Sequence, residues 1–167
     1  MKISQTLLTA SLFFTVVAHA DSSVSEADRS FVAMVSQGGM FEVEAGKVGA
    51  SHGSTQDIKD QGTTETHDHE LVGEKLKSIA TANGMKFPTA LNAEFQKKLD
   101  ALNALSGHEF DEAYLHAMED IHAKDGAAFA KEAQSGTNPA LRDFAKETHR
   151  IVVRHIGELK AQGAANS

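Results

Sequence analysis

Residues 65–70 read Glu-Thr-His-Asp-His-Glu, two imidazoles and three carboxylates within six positions. Imidazoles and carboxylates are the side chains with which proteins bind zinc, copper and iron. They also satisfy one another as buried hydrogen-bonding pairs that need no metal. Farther along, Glu119-Asp120-Ile121-His122 forms a Glu-x-x-His, and His155 stands one turn after Ile151. Bundles that hold two bridged metal ions draw a Glu from each of two helices and Glu-x-x-His from each of the other two. Only one such motif occurs here, because Val152 stands three before His155 and Glu65-x-x-Asp68 lacks the histidine. A set rich in histidine and poor in carboxylate suits one zinc or copper ion better than a di-iron centre. The chain has no cysteine, so thiol chemistry and cysteine metal sites are excluded. There is no Ser-His-acid set on compatible faces and no glycine-rich phosphate loop, since Gly38-Gly39 falls within a helical stretch.

These residues need elements to position them, and the apolar pattern supplies helices. Ser25 and Asp28 make a capping box, with Val24 placed as its staple. From there Phe31, Met34, Val35, Gly38, Phe41, Ala45 and Val48 recur at helical spacing as far as Gly53. Ser54 with Asp57 caps a second helix, whose stripe of Ile58, Gln61, Glu65, Val72, Leu76 and Ile79 ends at Asn83-Gly84. Met85-Lys86-Phe87 before Pro88 reads as an extended linker. A shorter helix follows over 89–106 with Leu91, Phe95, Leu99, Leu102 and Leu105. Phe110, Tyr114, Ala117, Met118, Ile121, Ala128 and Phe129 mark a fourth helix that stops near Gly136. Asn138 and Pro139 begin the fifth, with Leu141, Phe144, Ile151, Val152, His155 and Leu159 on its stripe. No internal repeat stands out. Four long helices in two hairpins, with the short helix carrying the chain between them, predict an all-α, ferritin-like four-helix bundle with a crossover helix.

On this frame Glu42, Glu65, His69, His122 and His155 fall on or beside buried stripes, with Asp68 flanking one of them. His67 points to another face. Depths counted from the hairpin ends at the helical rise spread the five groups over about 12 Å of axis. One ion then reaches only level pairs, such as His69 with His122 or Glu42 with His155.

The first twenty residues carry Lys2, an apolar run over Leu7–Ala18 and the small-x-small site Ala18-His19-Ala20, the pattern of a signal peptide cleaved before Asp21. The run is too short for a stable membrane anchor, and no later segment is apolar enough to span a bilayer. Residues 21–167 then form one domain, with its core over 25–162. With 15 basic and 23 acidic residues the mature chain carries −8, which disfavours nucleic acid and anionic membrane surfaces as partners. A periplasmic or envelope location follows.

The blocks FEVEAGKVG (41–49), DHELVGEKLKSIATANG (68–84), LSGHEFDEAYLHAMEDIH (105–122) and SGTNPALRDFAKETHRIVVRHI (135–156) resemble the bacterial domain-of-unknown-function family numbered 4142. The resemblance covers nearly all of residues 25–162. It implies an exported, ferritin-like protein and singles out Glu42, His69, His122 and His155 as recurring polar positions. It implies no reaction. Glu147-Thr148 stand where the family usually has Leu-Pro, so the cause of a kink in the last helix is missing here.

Three classes of function are compatible with these residues. The favoured one is a non-enzymatic envelope protein that binds a partner or small ligand, or serves in stress tolerance, with a purely structural polar core. The second is a metal-binding module using Glu42, His69, His122 and His155, with Glu65, Asp68 and Glu119 as additional groups and zinc, copper or iron as its ion. A di-iron oxidase or peroxidase is disfavoured by the shortage of carboxylates.

Overall fold

The computed structural model describes residues 24–165. The expected signal peptide and its cleavage site lie outside the described residues. Five helices follow in order: α1 (Glu26–His52), α2 (Gln56–Ala82), α3 (Ala93–Asn103), α4 (Gly107–Ser135) and α5 (Pro139–Ala165). No strand occurs among the described residues, and no described helix is long and apolar enough to cross a membrane.

The local signals act as their chemistry requires. Ser25 and Asp28 close a reciprocal capping box at the start of α1. Asn138 Oδ1 accepts from the Leu141 N–H at the start of α5. Gly84, at φ +64°, takes the left-handed turn that ends α2. α5 runs without a break through Glu147-Thr148, as the missing proline implies. Two boundaries differ from the sequence reading. Thr55 rather than Ser54 caps α2, because the Ser54 hydroxyl is drawn to Asp111 instead. α3 is shorter than 89–106: Asn92 caps it, and Gln37 of α1 grips the Ala90 carbonyl and the Asn92 N–H, tying the linker to α1.

α1 packs chiefly on α2 and α4 on α5, while α1 also meets α4 and α2 meets α5. Gly46 and Gly62 let the first pair approach closely, since a Cβ on either would press into the partner's backbone. The hairpins are tied together at both ends. At one end the Asp111 carboxylate accepts from the Ser54 N–H at 2.9 Å and from its hydroxyl. At the other, Asp28 accepts from the Thr137 N–H at 2.9 Å and from its hydroxyl. The start of α4 therefore lies beside the α1–α2 turn, and the start of α1 beside the α4–α5 turn. The chain runs up, down, down, up, with α3 in the crossover. The two clasps are equivalent, joining Gly53-Ser54 and Gly136-Thr137 to an aspartate in the first turns of the opposite hairpin.

The apolar core has two halves. Phe31, Val35, Leu76, Phe129, Leu141 and Phe144 fill one, and Phe41, Ile58, Phe110, Tyr114, Met118 and Leu159 fill the other. Between them lies a buried polar layer.

Candidate metal centre

α2 supplies Glu65 and His69 to this layer, one turn apart on its inner face, while α4 supplies His122, α5 His155 and α1 Glu42. All five side chains are at most 2% exposed. The clasps explain why they meet. Glu65 lies about three turns below Ser54, and His122 about three turns below Asp111, which is tied to Ser54. Glu42 lies about three turns below Gly53. The Gln162 amide, 3.5 Å from the Asp57 carbonyl, sets His155 about two turns down, level with Glu65. His69 starts one turn lower, but helical side chains lean toward the N-terminus, so its ring comes back up to Glu65.

One ligand-type atom from each of Glu65, His69, His122 and His155 lies within 4.8 Å of the other three. Glu65 Oε2 sits 3.2 Å from His69 Nε2, 3.4 Å from His122 Nε2 and 3.1 Å from His155 Nδ1. His122 Nε2 and His155 Nδ1 are 3.1 Å apart. The edges of a tetrahedron with zinc-like bonds of about 2.0–2.1 Å measure about 3.3 Å.

The far nitrogen of each ring is held from behind. His69 Nδ1 meets Glu42 Oε2 at 3.0 Å. His122 Nδ1 donates to the Met118 carbonyl at 2.8 Å. His155 Nε2 meets Asp68 Oδ2 at 3.0 Å, and Arg154 pairs with that same half-buried carboxylate. The Met118 carbonyl and the Glu42 carboxylate can only accept, so they put the ring hydrogen of a neutral His122 or His69 on its outer nitrogen and leave the inner lone pair. The outer nitrogen of His155 instead faces both an acceptor, Asp68, and a donor, Arg154 Nη2 at 2.9 Å. Glu65 is fixed likewise: its Oε1 accepts from the Gln61 amide at 2.5 Å, and Gln61 Oε1 accepts from the Tyr114 hydroxyl at 2.8 Å. Glu65 Oε2, His69 Nε2 and Glu42 Oε1 are buried without a hydrogen-bond partner.

The electrostatics centre on two carboxylates. Burial opposes the charge on His69, but Glu42 and Glu65 outweigh it and raise its pKa to about 10. Burial also opposes the charge on His122, and Glu65 and Glu42 overcome it to raise that pKa too. Desolvation works against Glu42 and Glu65 as well, yet the surrounding imidazoles pull both below their ordinary range, Glu65 strongly. Burial and the charges of Glu65 and Glu42 keep the Tyr114 phenol well above its ordinary range, so it stays a donor. Asp125, buried on α4 one turn beyond His122, is raised to about 8 by desolvation and by Glu42. Gly38 makes room for it, since a Cβ there would collide with its carboxylate.

Glu42, His69, His122 and His155 thus come together in one place, and the expected 12 Å spread does not occur. That expectation assumed flush helix ends and ignored side-chain lean, whereas the clasps set the real register. Glu42 meets His69 and His122 rather than standing level with His155 alone. Glu65 occupies the centre, and Asp68 stands behind His155. Glu119 is exposed and takes no part, despite its Glu-x-x-His spacing. His67 is exposed, as its phase requires. Gln61 sat visibly on the α2 stripe four residues before Glu65, but nothing in sequence paired it with Tyr114. Asp125 was missed altogether. Its only signal is a carboxylate three residues after His122 on the same helix.

No curated protein matches the chain. Among solved structures it is similar to the crystal structure of a DUF305 fragment from Deinococcus radiodurans, with a TM-score of 0.70 and 12% identity over 86% of this chain and 97% of that one, a likeness of fold. A family described as a domain of unknown function, DUF4142, matches residues 15–161. With its match running nearly the whole length of the helical bundle and over every residue of the polar layer, the chain belongs to the DUF4142 family.

Proposed function

We propose that this protein is an exported metal-binding module that holds one divalent ion between Glu65, His69, His122 and His155. The observation that carries this reading is the convergence of one ligand-type atom each from Glu65, His69, His122 and His155, all within 4.8 Å of one another at one buried point, with the outer ring nitrogens engaged from behind. A polar layer built only for structure would not leave Glu65 Oε2 and His69 Nε2 without a hydrogen-bond partner, since buried polar groups are otherwise costly. Glu42, which the sequence placed among the ligands, acts in this reading on His69 Nδ1, and Glu65 takes its place at the ion. Charge supports a dication. Two buried carboxylates are balanced either by protons on His69 and His122 or by one doubly charged ion. Ligand edges of 3.1–3.4 Å around Glu65 suit tetrahedral zinc. Copper binds such nitrogen sets more tightly in general and is the competing ion. Four protein ligands leave no open position, which favours holding the ion over catalysis on it.

Elemental analysis of the protein as purified from its native envelope tests this. One zinc or copper per chain is expected, lost in His155→Ala. Two irons per chain would restore the oxidase reading. Absence of any ion, together with no uptake of zinc or copper on titration, would return the protein to the class of metal-free envelope binding proteins.

A further inference from the structure

A second feature adjoins the polar layer. Between α1 and α2 lies a cleft of about 200 Å³, lined by Val35, Met40, Val72, Leu76, Phe87 and Phe129, with His69 in its inner wall. Two mid-helix glycines, Gly39 and Gly73, border it, and a Cβ on either would meet nothing within 4 Å. A glycine inside a helix costs about 1 kcal/mol relative to alanine. Several other mid-helix glycines here have a packing reason, though Gly157 on α5 has none: Gly38 admits Asp125, Gly49 lies against the Tyr114 ring, and Gly46 with Gly62 sets the helix approach. Gly39 and Gly73 touch nothing either, and both border the same cleft.

The lining and the rim define the occupant. An apolar cavity of about 150 Å³ takes up benzene, so this cleft has room for one ring or a short alkyl chain. The charged residues that border it are Glu44, Glu70, Glu74 and Lys77. Lys47 pairs with Glu44 at 2.9 Å and with Glu70 at 3.5 Å, while Glu74 has no ion pair among the described residues. The rim is therefore net negative even with Lys47 counted, and its open carboxylate is Glu74. We infer that the α1–α2 cleft binds a small cationic amphiphile, its apolar body between the helices against His69 and its ammonium head at Glu74. The occupancy of the polar layer does not enter this inference, so it stands or falls separately from the metal reading.

The test compares three probes with one ring and different heads: benzylamine, benzyl alcohol and benzoate. Each is titrated at neutral pH and low salt against the full chain stripped of metal by a chelator, with binding read by ligand-observed NMR. Benzylamine should bind saturably, on the order of tenfold more tightly than benzoate, and the gap should narrow in high salt as the rim is screened. Gly73→Leu, which fills open space and leaves the fold intact, should abolish binding of all three. Gly157→Leu, on α5 and also in open space, should leave binding unchanged. Glu74→Gln should remove the preference for benzylamine while sparing benzyl alcohol. Absence of saturable binding, equal affinity for benzoate and benzylamine, or undiminished binding in Gly73→Leu would each overturn the inference.

Discussion

Two pairs of buried carboxylates in this bundle, Asp28 with Asp111 and Glu42 with Glu65, differ in what they lack. At the ends, Asp28 and Asp111 have donors to both oxygens: Asp28 accepts from the Ser25 and Thr137 N–H groups and the Thr137 hydroxyl, and Asp111 from the Ser54 N–H and hydroxyl. Those hydrogen bonds outweigh the desolvation of Asp28 and hold its carboxyl far below the ordinary range. In the middle, Glu42 and Glu65 each keep one oxygen without a donor, and His69 keeps one nitrogen likewise. A saturated carboxylate has finished its work once it has fixed the register of two hairpins. A carboxylate left open at the point where three imidazoles converge has capacity to spare for a ligand.

Removing a saturated group should cost most. Asp28→Ala removes the acceptor shared by Ser25 and Thr137 and unties one end of the bundle, and it should lower stability by about 3 kcal/mol in urea unfolding. Zinc should raise the variant and the wild type equally and so leave the difference between them unchanged. If zinc closes that difference, the two regions are not independent.

The middle layer should respond to metal instead. At free zinc of about a hundred times its dissociation constant, the wild type should gain about 2.7 kcal/mol. Thermal scans should show that gain lost in Glu65→Ala and kept in Glu119→Ala, whose side chain is exposed. Equal behaviour of the two variants would dissolve the distinction drawn here.

Without metal, His69→Ala should cost about 1–3 kcal/mol, because Glu42 and Glu65 lose a partner. His67→Ala should stay within about 0.5 kcal/mol. The pH dependence follows from the sign of the His69 shift. Its folded pKa of about 10 lies above its ordinary 6.5, so its contribution to the metal-free fold is complete below 6.5 and is lost as pH rises through 10. Metal binding must displace that proton, so affinity should rise with pH across the same window. Urea unfolding of the metal-free chain and isothermal titration with zinc, each at several pH values, read the two trends, and an affinity flat in pH would remove His69 from the ligand set.

The smallest effect belongs to Glu132, which neighbours the saturated Asp28. Burial and Asp28 raise its pKa to about 7, so it favours folding below the ordinary 4.5 and loses that contribution as pH rises through 7. Glu132→Gln, permanently neutral, should gain on the order of 1 kcal/mol over the wild type between pH 4.5 and 8. Parallel stability curves for the two proteins would exclude a buried, protonated Glu132.

Much of this was legible before any coordinates. Helical periodicity, the Ser25–Asp28 box, Asn138-Pro139 and the Asn83-Gly84 stop are local codes, read within a few residues of themselves. They settled the helices and their order, and they placed Glu42, His69, His122 and His155 inward while turning His67 outward. Phase around a helix is a property of sequence, because 3.6 residues make a turn wherever the helix lies. Height along the bundle is not, because it depends on how one helix slides against another. That slide was fixed by Asp28 with Thr137 and Asp111 with Ser54, pairs more than fifty residues apart in sequence. Their repetition across the two hairpins amounts in sequence only to Gly-Ser and Gly-Thr, too little to register as a repeat. The tertiary register alone decided that the five groups share one level and that Glu65 stands at their centre with Gln61 and Tyr114 behind it. Periodicity specifies directions within each helix, whereas a site is made by distances between helices.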